Sequence, residues 1–173
     1  LTIGGVNYAV EIIVKDSQSN PNRASSIAQE LINKEKVDLL LTAATPDTTN
    51  PVSDQAELAG VPCISTAAPW QAWYFGRGAT PQRGFNWTYH FFFGLDDAIG
   101  VYDGMWKSIP TNKTVGLLLP NDSDGDAWSN KQHGLPPSLT KLGYKVVEPG
   151  RYQSNTDNFS SIISTFKKSN VEI

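Results

Sequence analysis

The chain has 173 residues, 39% of them apolar and 18% charged, with a formal net charge of −3. That suffices for the core of one domain or of two small ones, and the charge is too low for a disordered chain. No lysine or arginine cluster suggests a nucleic-acid partner, and no apolar run approaches the roughly 20 residues that span a bilayer.

The opening, LTIGGVNYAVEIIV, has no initiator Met and no signal-peptide pattern, and reads as the interior of a longer chain. Val10 to Val14 is short and β-branched, which predicts a strand. Asn20-Pro21 then offers a side-chain acceptor followed by a first-turn proline, a helix start. Ala24, Ile27, Ala28, Leu31 and Ile32 recur on one helical face. Val37 to Leu41 is a near-continuous apolar run of the kind found in parallel strands covered on both faces. A polar loop follows, and Asn50-Pro51 predicts a second helix start, with Gly60 as its left-handed C-terminal cap. Val61 to Ser65 is a third strand, containing the only cysteine, Cys63. That thiol reads as a small core residue or, as the alternative, a catalytic nucleophile with no histidine near it in sequence. His90 and His133 lack metal-ligand spacing.

The aromatic-rich middle predicts a helical turn near Trp70 to Tyr74, a glycine-rich loop, and a strand around Tyr89 to Phe92. Its rings read as core packing, with one or two open to a ligand. From Asp96 a helix carries Ile99, Tyr102, Met105 and Trp106 on one face. Thr114 to Leu119 is a strand running into the polar loop NDSDGDAW. A helical stretch interrupted at Gly134-Leu135-Pro136-Pro137 ends at Gly143. Tyr144 to Val147 is a strand, Thr156 caps a last helix with Phe159, Ile162, Ile163 and Phe166 inward, and Val171 starts another strand. Two β-α-β-α-β series predict an α/β fold of two similar lobes with parallel, doubly wound sheets, joined near residues 93–97.

In such sheets ligands bind beyond the carboxyl ends of the strands. The loops after Leu41 and Ile64 lie there and lead toward helix starts, whose amides favour anions. The alanines at 43, 44, 67 and 68 let a ligand approach the backbone, and Thr45, Thr48, Ser65 and Thr66 offer hydroxyls. Thr, Asp and Asn are also ordinary cap and turn residues, so pattern alone leaves both readings open.

The segments VEIIVKDSQSNPNRASSIAQELI, VDLLLTAATPDTTNPVSDQAELAGVPCIST and APWQAW resemble the first lobe of the type I periplasmic solute-binding proteins. The branch is that of the branched-chain amino acid, amide and urea receptors of ABC transporters. VGLLLPNDSDGDAW and DNFSSIISTFK resemble the start of that family's second lobe. The resemblance implies two Rossmann-like lobes, 1–93 and 94–173, closing on a small polar solute by a hinge. It implies a periplasmic or extracytoplasmic location, an ABC-transporter permease as partner, no cofactor, no metal and no catalysis.

Residue by residue, it places the solute's head group on Thr45, Pro46 and Asp47 and on Ala67, Ala68 and Pro69, with Trp70 adjacent. Pro46 and Pro69 stand where the family often has a hydroxyl, which argues against a plain α-amino acid clamp. Asp124-Gly125 falls on an aromatic-glycine motif, so Asp124, with Asp122 beside it, makes the second-lobe contact polar and suited to a cationic group. The family's first strand, its glycine-rich loop and its first helix have no counterpart, nor does the remainder of the second lobe. The chain is therefore expected to be the middle half of a receptor, with apolar surface that self-association could cover.

Two alternatives stand beside this reading. One is a sensory ectodomain of the same fold, for which the sequons at Asn86, Asn112, Asn121 and Asn158 give an opening. The other is an enzyme on a doubly wound sheet, with Asp122, Asp124 and Asp126 as acid and base. No phosphate-binding glycine loop or nucleophile elbow supports the second, and DSDGD lacks the glutamate spacing of a calcium loop.

Overall fold

The computed structural model describes residues 1–153 and 155–173. The chain opens on a two-stranded antiparallel hairpin, β1 (Thr2–Ile3) and β2 (Val6–Asn7). Its turn uses Gly4 (φ 56°) and Gly5 (φ 82°), the two successive positive φ values of a tight hairpin. The strand expected over Val10 to Val14 does not form, and Ile12 and Val14 are 81% and 85% exposed. β-Branching supplies propensity, but a strand needs a neighbour to bond with, and none of the described strands pairs there.

Helix α1 (Pro21–Asn33) starts as expected: Asn20 Oδ1 accepts from the Arg23 amide at 2.9 Å, and Ala24 and Ala28 are buried. Strands β3 (Leu40–Ala43), β4 (Cys63–Thr66) and β5 (Thr88–Phe91) form a parallel sheet in that order, β4 central. Between β3 and β4 runs α2 (Pro46–Ala59), capped by Gly60 in the left-handed region (φ 68°). This helix corrects the Asn50-Pro51 start: it begins five residues earlier, at Pro46, and carries Pro51 inside its second turn. A proline within the second turn removes one helical donor. Asn50 is free to reach sideways, its Nδ2 donating to Ala72 O at 3.2 Å.

Helix α3 (Trp70–Tyr74) is where the sequence places it. Among the described residues only one face of the sheet is covered, not both as the apolar run at Val37 to Leu41 suggests. Leu40, Cys63, Ser65 and Thr88 are buried, whereas Leu41, Ile64, Tyr89 and Phe91 are exposed on the other side. Cys63 is fully buried beneath α2, and burial pushes its thiol pKa up, so it packs as a core residue.

Helix α4 (Leu95–Trp106) buries Leu95 and Ile99, but Met105, expected inward, is 58% exposed. The strand expected over Thr114 to Leu119 is divided into β6 (Thr114–Gly116) and β7 (Leu119–Pro120). The loop expected at 121–128 is instead α5 (Ser123–Trp128), capped by Asp122, whose Oδ1 accepts from the Gly125 amide at 2.9 Å. Helix α6 (Leu135–Lys141) begins with prolines in its first turn, as Pro136 predicts, and Gly143 (φ 89°) follows its end. Strand β8 (Lys145–Val147) pairs parallel with β6, and β9 (Arg151–Tyr152), unforeseen in the sequence, pairs parallel with β7.

The last helix, α7 (Ser160–Lys168), starts four residues beyond Thr156, and that cap is corrected too. The Thr156 Oγ1 accepts from the Asn158 amide within the preceding loop, and Asn158 Oδ1 accepts from the Ser160 amide at 3.1 Å. Val171 to Ile173 does not form the expected strand, but the Gly116 amide donates to Ile173 O at 2.8 Å on the open side of β6. Leu95, Ile99, Val115, Leu117, Leu139 and Tyr144 form a second core, distinct from that of the first sheet. The architecture is thus mixed α/β with parallel sheets. No described helix is long and apolar enough to cross a membrane.

Candidate functional site

Strands β3 and β4 end side by side, and both leave the sheet through residues in the left-handed region. These are Ala44 (φ 67°) and Thr45 (φ 59°) after β3, and Ala67 (φ 61°) after β4. None is glycine, and such positions cost about 1–3 kcal/mol each, so they persist only where surrounding contacts hold them. The contacts are present. The Thr45 amide donates to Ala67 O at 3.2 Å, joining the two loops. Thr45 O accepts from the Thr49 amide at 3.0 Å and from Thr49 Oγ1 at 2.9 Å, and Thr48 Oγ1 donates to Ala44 O. Pro46, Ala68 and Pro69 are buried, and Thr45 stays exposed at the sheet's end.

These bonds revise the role of the hydroxyls. Thr48 is bound to its own turn, Ser65 Oγ lies 2.8 Å from His90 Nδ1, and Thr66 Oγ1 donates to Phe91 O at 2.6 Å. Three of the four expected ligand hydroxyls therefore hold the loops, and the hydroxyl of exposed Thr45 lies 3.4 Å from that of Thr48.

The first turn of α2 brings the next group. Asp47 Oδ1 accepts from the Ser123 amide at 3.3 Å and from the Ser123 hydroxyl, a contact spanning 76 residues of sequence. The start of α2, beyond β3, is thereby joined to the start of α5, beyond β7. Asp47, Asp122 and Asp124 meet there, all in or beside the first turn of a helix, where a carboxylate is favoured by the helix dipole. Trp70 stands on α3, 40% exposed, with its indole against Gly94 and its amide donating to Phe93 O at 3.3 Å. The structure thus gathers Thr45, Pro46, Asp47, Ala67, Ala68 and Pro69 at one sheet end, with Asp122 and Asp124 reached through the Asp47–Ser123 contact.

Asp124 is the electrostatic exception in this group. Burial, and then the neighbouring charges of Asp122 and Asp47, raise its pKa to about 6. A carboxyl whose folded pKa lies above its unfolded value of about 3.9 stabilises fully below that value and loses the contribution as pH rises through 6. Asp124→Asn is expected to remove this dependence. The residue is only partly buried, which limits the gain at pH 7.5 to about 1 kcal/mol, or about 2–4 °C in Tm. Melting curves of both proteins from pH 4 to 7.5 check it: a Tm difference that stays constant across that range refutes the assignment.

Two residues that pattern did not single out support the site from beneath. His90 Nε2 lies 2.8 Å from Ala68 O. Arg77, from the glycine-rich loop, has a fully buried side chain whose Nε donates to Asp54 Oδ1 at 2.7 Å and whose Nη1 donates to Thr88 Oγ1 at 3.0 Å. Its guanidinium lies 4.6 Å from the Trp73 ring centre and 3.8 Å from that of Phe85. An arginine among glycines looks like a surface residue in sequence; only the aromatic run on either side of it hinted otherwise.

A family model described as periplasmic binding protein matches residues 2–173. Among solved structures, the chain is similar to an extracellular ligand-binding receptor from Rhodopseudomonas palustris HaA2, at 25% identity and a TM-score of 0.76, over 98% of this chain and 43% of that one. It is also similar in fold to a leucine-binding protein from Thermotoga maritima MSB8, at 20% identity and a TM-score of 0.73, over 90% of this chain and 41% of that one. A third similar fold is a solute-binding protein of an ABC transporter from Rhodopseudomonas palustris BisB5, in complex with 3,4-dihydroxybenzoic acid. It shows 22% identity and a TM-score of 0.67, over 94% of this chain and 41% of that one. The chain therefore spans less than half the length of each of these structures. No curated protein matches it.

Proposed function

The chain belongs to the periplasmic binding protein family, and from that premise we propose that it forms part of an extracytoplasmic solute receptor that serves the permease of an ABC importer. Residues 1–93 belong to one lobe and 94–173 to the other, and a small polar solute is captured between them by hinge closure, without turnover. The observation that carries this reading is the Asp47–Ser123 contact, which brings together helix starts beyond strand ends of two separate sheets. Strand ends of this kind are where open α/β sheets bind ligands.

The solute class is an amino acid, an amide or a related carboxylate. Asp47 and Asp122 lie at the same helix starts whose amides would attract an anion. A solute that pairs its acceptor oxygens with an ammonium or amide N–H suits this mixture better than a bare anion does. The similar structures with leucine-binding and dihydroxybenzoate-bound descriptions supply the range to be screened.

The test is a thermal-shift screen of the full-length protein against leucine, isoleucine, amides, urea and hydroxybenzoates. A solute at 100 times its Kd stabilises the folded state by about 2.7 kcal/mol, roughly 5–10 °C in Tm. The expected result is a saturating rise with one chemical class and recovery of that solute unchanged. A flat response to the whole panel, or conversion of the solute, overturns the proposal.

A further inference from the structure

Ala68 O belongs to the Ala68–Pro69 peptide, and Pro69 has no N–H, so this carbonyl is the only hydrogen-bonding group of that peptide. Both residues are buried, and a buried carbonyl without a partner costs about 1–3 kcal/mol. Its partner is His90 Nε2, at 2.8 Å. His90 sits on β5 directly opposite Ser65 of β4 in the parallel register, and its ring lies near-parallel to Trp73, 5.1 Å between centres at 16°. Trp73 is itself fixed by its Nε1 donating to Ser53 Oγ at 3.2 Å.

Chemistry settles the tautomer. A carbonyl can only accept, so Nε2 carries the proton; Ser65 Oγ lies 2.8 Å from Nδ1 and 3.2 Å from Tyr89 O, two acceptors that share its one hydrogen. Burial, with the Arg77 charge nearby, holds the imidazole pKa below its ordinary value against the raising influence of the Ala68 carbonyl.

One residue earlier, Ala67 O accepts from the Thr45 amide at 3.2 Å, with Ala67 at φ 61°. Two successive carbonyls are thus pinned from two directions, one by the loop after β3 and one by β5. In a trans peptide the N–H points opposite to the C=O. The Ala68 amide is therefore directed away from Thr45, and it donates to no backbone carbonyl among the described residues.

We propose that His90 is a positioning residue for the solute loop: its Nε2–H holds the Ala68 carbonyl and thereby fixes the strained Ala67–Ala68–Pro69 turn and the direction of the Ala68 amide. The value of this to a ligand rests on the reading of residues 67–69 as a solute-gripping loop; the strut itself does not. It is accordingly tested without solute, in the full-length protein. His90→Phe keeps a ring beside Trp73 and removes the donor, whereas His90→Gln restores an N–H of similar reach.

Amide hydrogen exchange at Thr45, whose bond to Ala67 O depends on the turn, is expected to quicken about tenfold or more in His90→Phe. It should return to within about threefold of wild type in His90→Gln, with α4 amides unchanged in both. Nitrogen-15 spectra of wild type provide a readout that does not depend on any variant folding, and the Nε2–H tautomer is expected. Unchanged Thr45 exchange in His90→Phe, or an Nδ1–H tautomer, overturns the proposal. Wild type that binds no solute in the screen, yet loses Thr45 protection in His90→Phe, would refute the receptor reading and leave the strut standing.

Discussion

Gly125→Ala is expected to destabilise the protein by at least about 3 kcal/mol and to pull α5 away from β7. A Cβ at residue 125 would stand 1.7 Å from Pro120 O and 2.9 Å from Pro120 C. Both are backbone atoms, so no side-chain rotation relieves the clash, and the helix must move bodily. Overpacking against yielding side chains costs about 1–3 kcal/mol, and an unyielding backbone neighbour belongs at or above that range. The displaced helix carries Ser123 and Asp124, so the Asp47–Ser123 contact is lost with it. Glycine is required at 125 because the start of α5 rests directly on the last peptide of β7, and the same close approach brings its acidic first turn to Asp47. Gly100→Ala on α4 is the control: nothing lies within 4 Å of its Cβ, and alanine there should stabilise by about 0.5–1 kcal/mol. The check is Tm, where about 2–4 °C per kcal/mol separates the two variants in opposite directions. A Gly125→Ala protein that melts like Gly100→Ala would show that α5 does not sit on Pro120.

Signals confined to a few residues were legible where one element alone decides them. Asn20-Pro21, Gly60, Gly143 and the Trp70–Tyr74 turn all appear in place. Where two local signals compete, packing chooses. Thr45-Pro46 and Asn50-Pro51 are both a polar residue followed by proline, and nothing within them ranks one above the other. The structure starts the helix at Pro46, buried beneath it, while Asn50 is used to bond Ala72 O. Val10 to Val14 forms no strand for the converse reason: a strand is a property of two segments, and none of the described strands pairs with this one. Residues 121–128 looked like a loop because Asn, Asp, Ser and Gly favour turns, yet Asp122 serves as a helix cap and Gly125 is there for space.

In the site, the acidic residues and the two loops could be named from the resemblance. That Thr48 and Thr66 are occupied by backbone, that Ser65 lies between Tyr89 O and His90, and that His90 lies under Ala68, could not. Those are facts of register, set by which residue of β5 falls opposite which residue of β4.

Arg77→Ala is expected to cost about 2–5 kcal/mol, chiefly because it leaves the space between two rings empty and removes the link between Asp54 and Thr88. The guanidinium fork bonds Asp54 and Thr88 at once, and Thr88 Oγ1 in turn donates to Glu57 Oε2 at 3.0 Å. Glu57 also accepts from the Asn86 and Trp87 amides at 2.8 and 3.0 Å, clipping the lead-in to β5 onto α2. Burial pushes the Glu57 carboxyl up, but these bonds and the Arg77 charge together bring it below its ordinary value. Its contribution is thus present above the unfolded pKa and is lost as pH falls through the folded one. Without Arg77, the acid-side loss should begin at a higher pH.

Size and charge separate in two further variants. Arg77→Met fills the gap between Trp73 and Phe85, and Asp54, 48% exposed, can turn to water, so the loss should be about 1–2 kcal/mol. Arg77→Lys keeps the charge but is a single point donor that cannot span Asp54 and Thr88 together, so it should fall between the other two. Thermal melts at pH 7.5 rank them. If Ala is no worse than Met, the side chain is not the buried link between α2, α3 and β5. If the order is Met, Lys, Ala from least to most damaging, packing against the two rings outweighs the charge, and Arg77 supports His90 and the Ala67–Pro69 turn mainly by holding Trp73 in place.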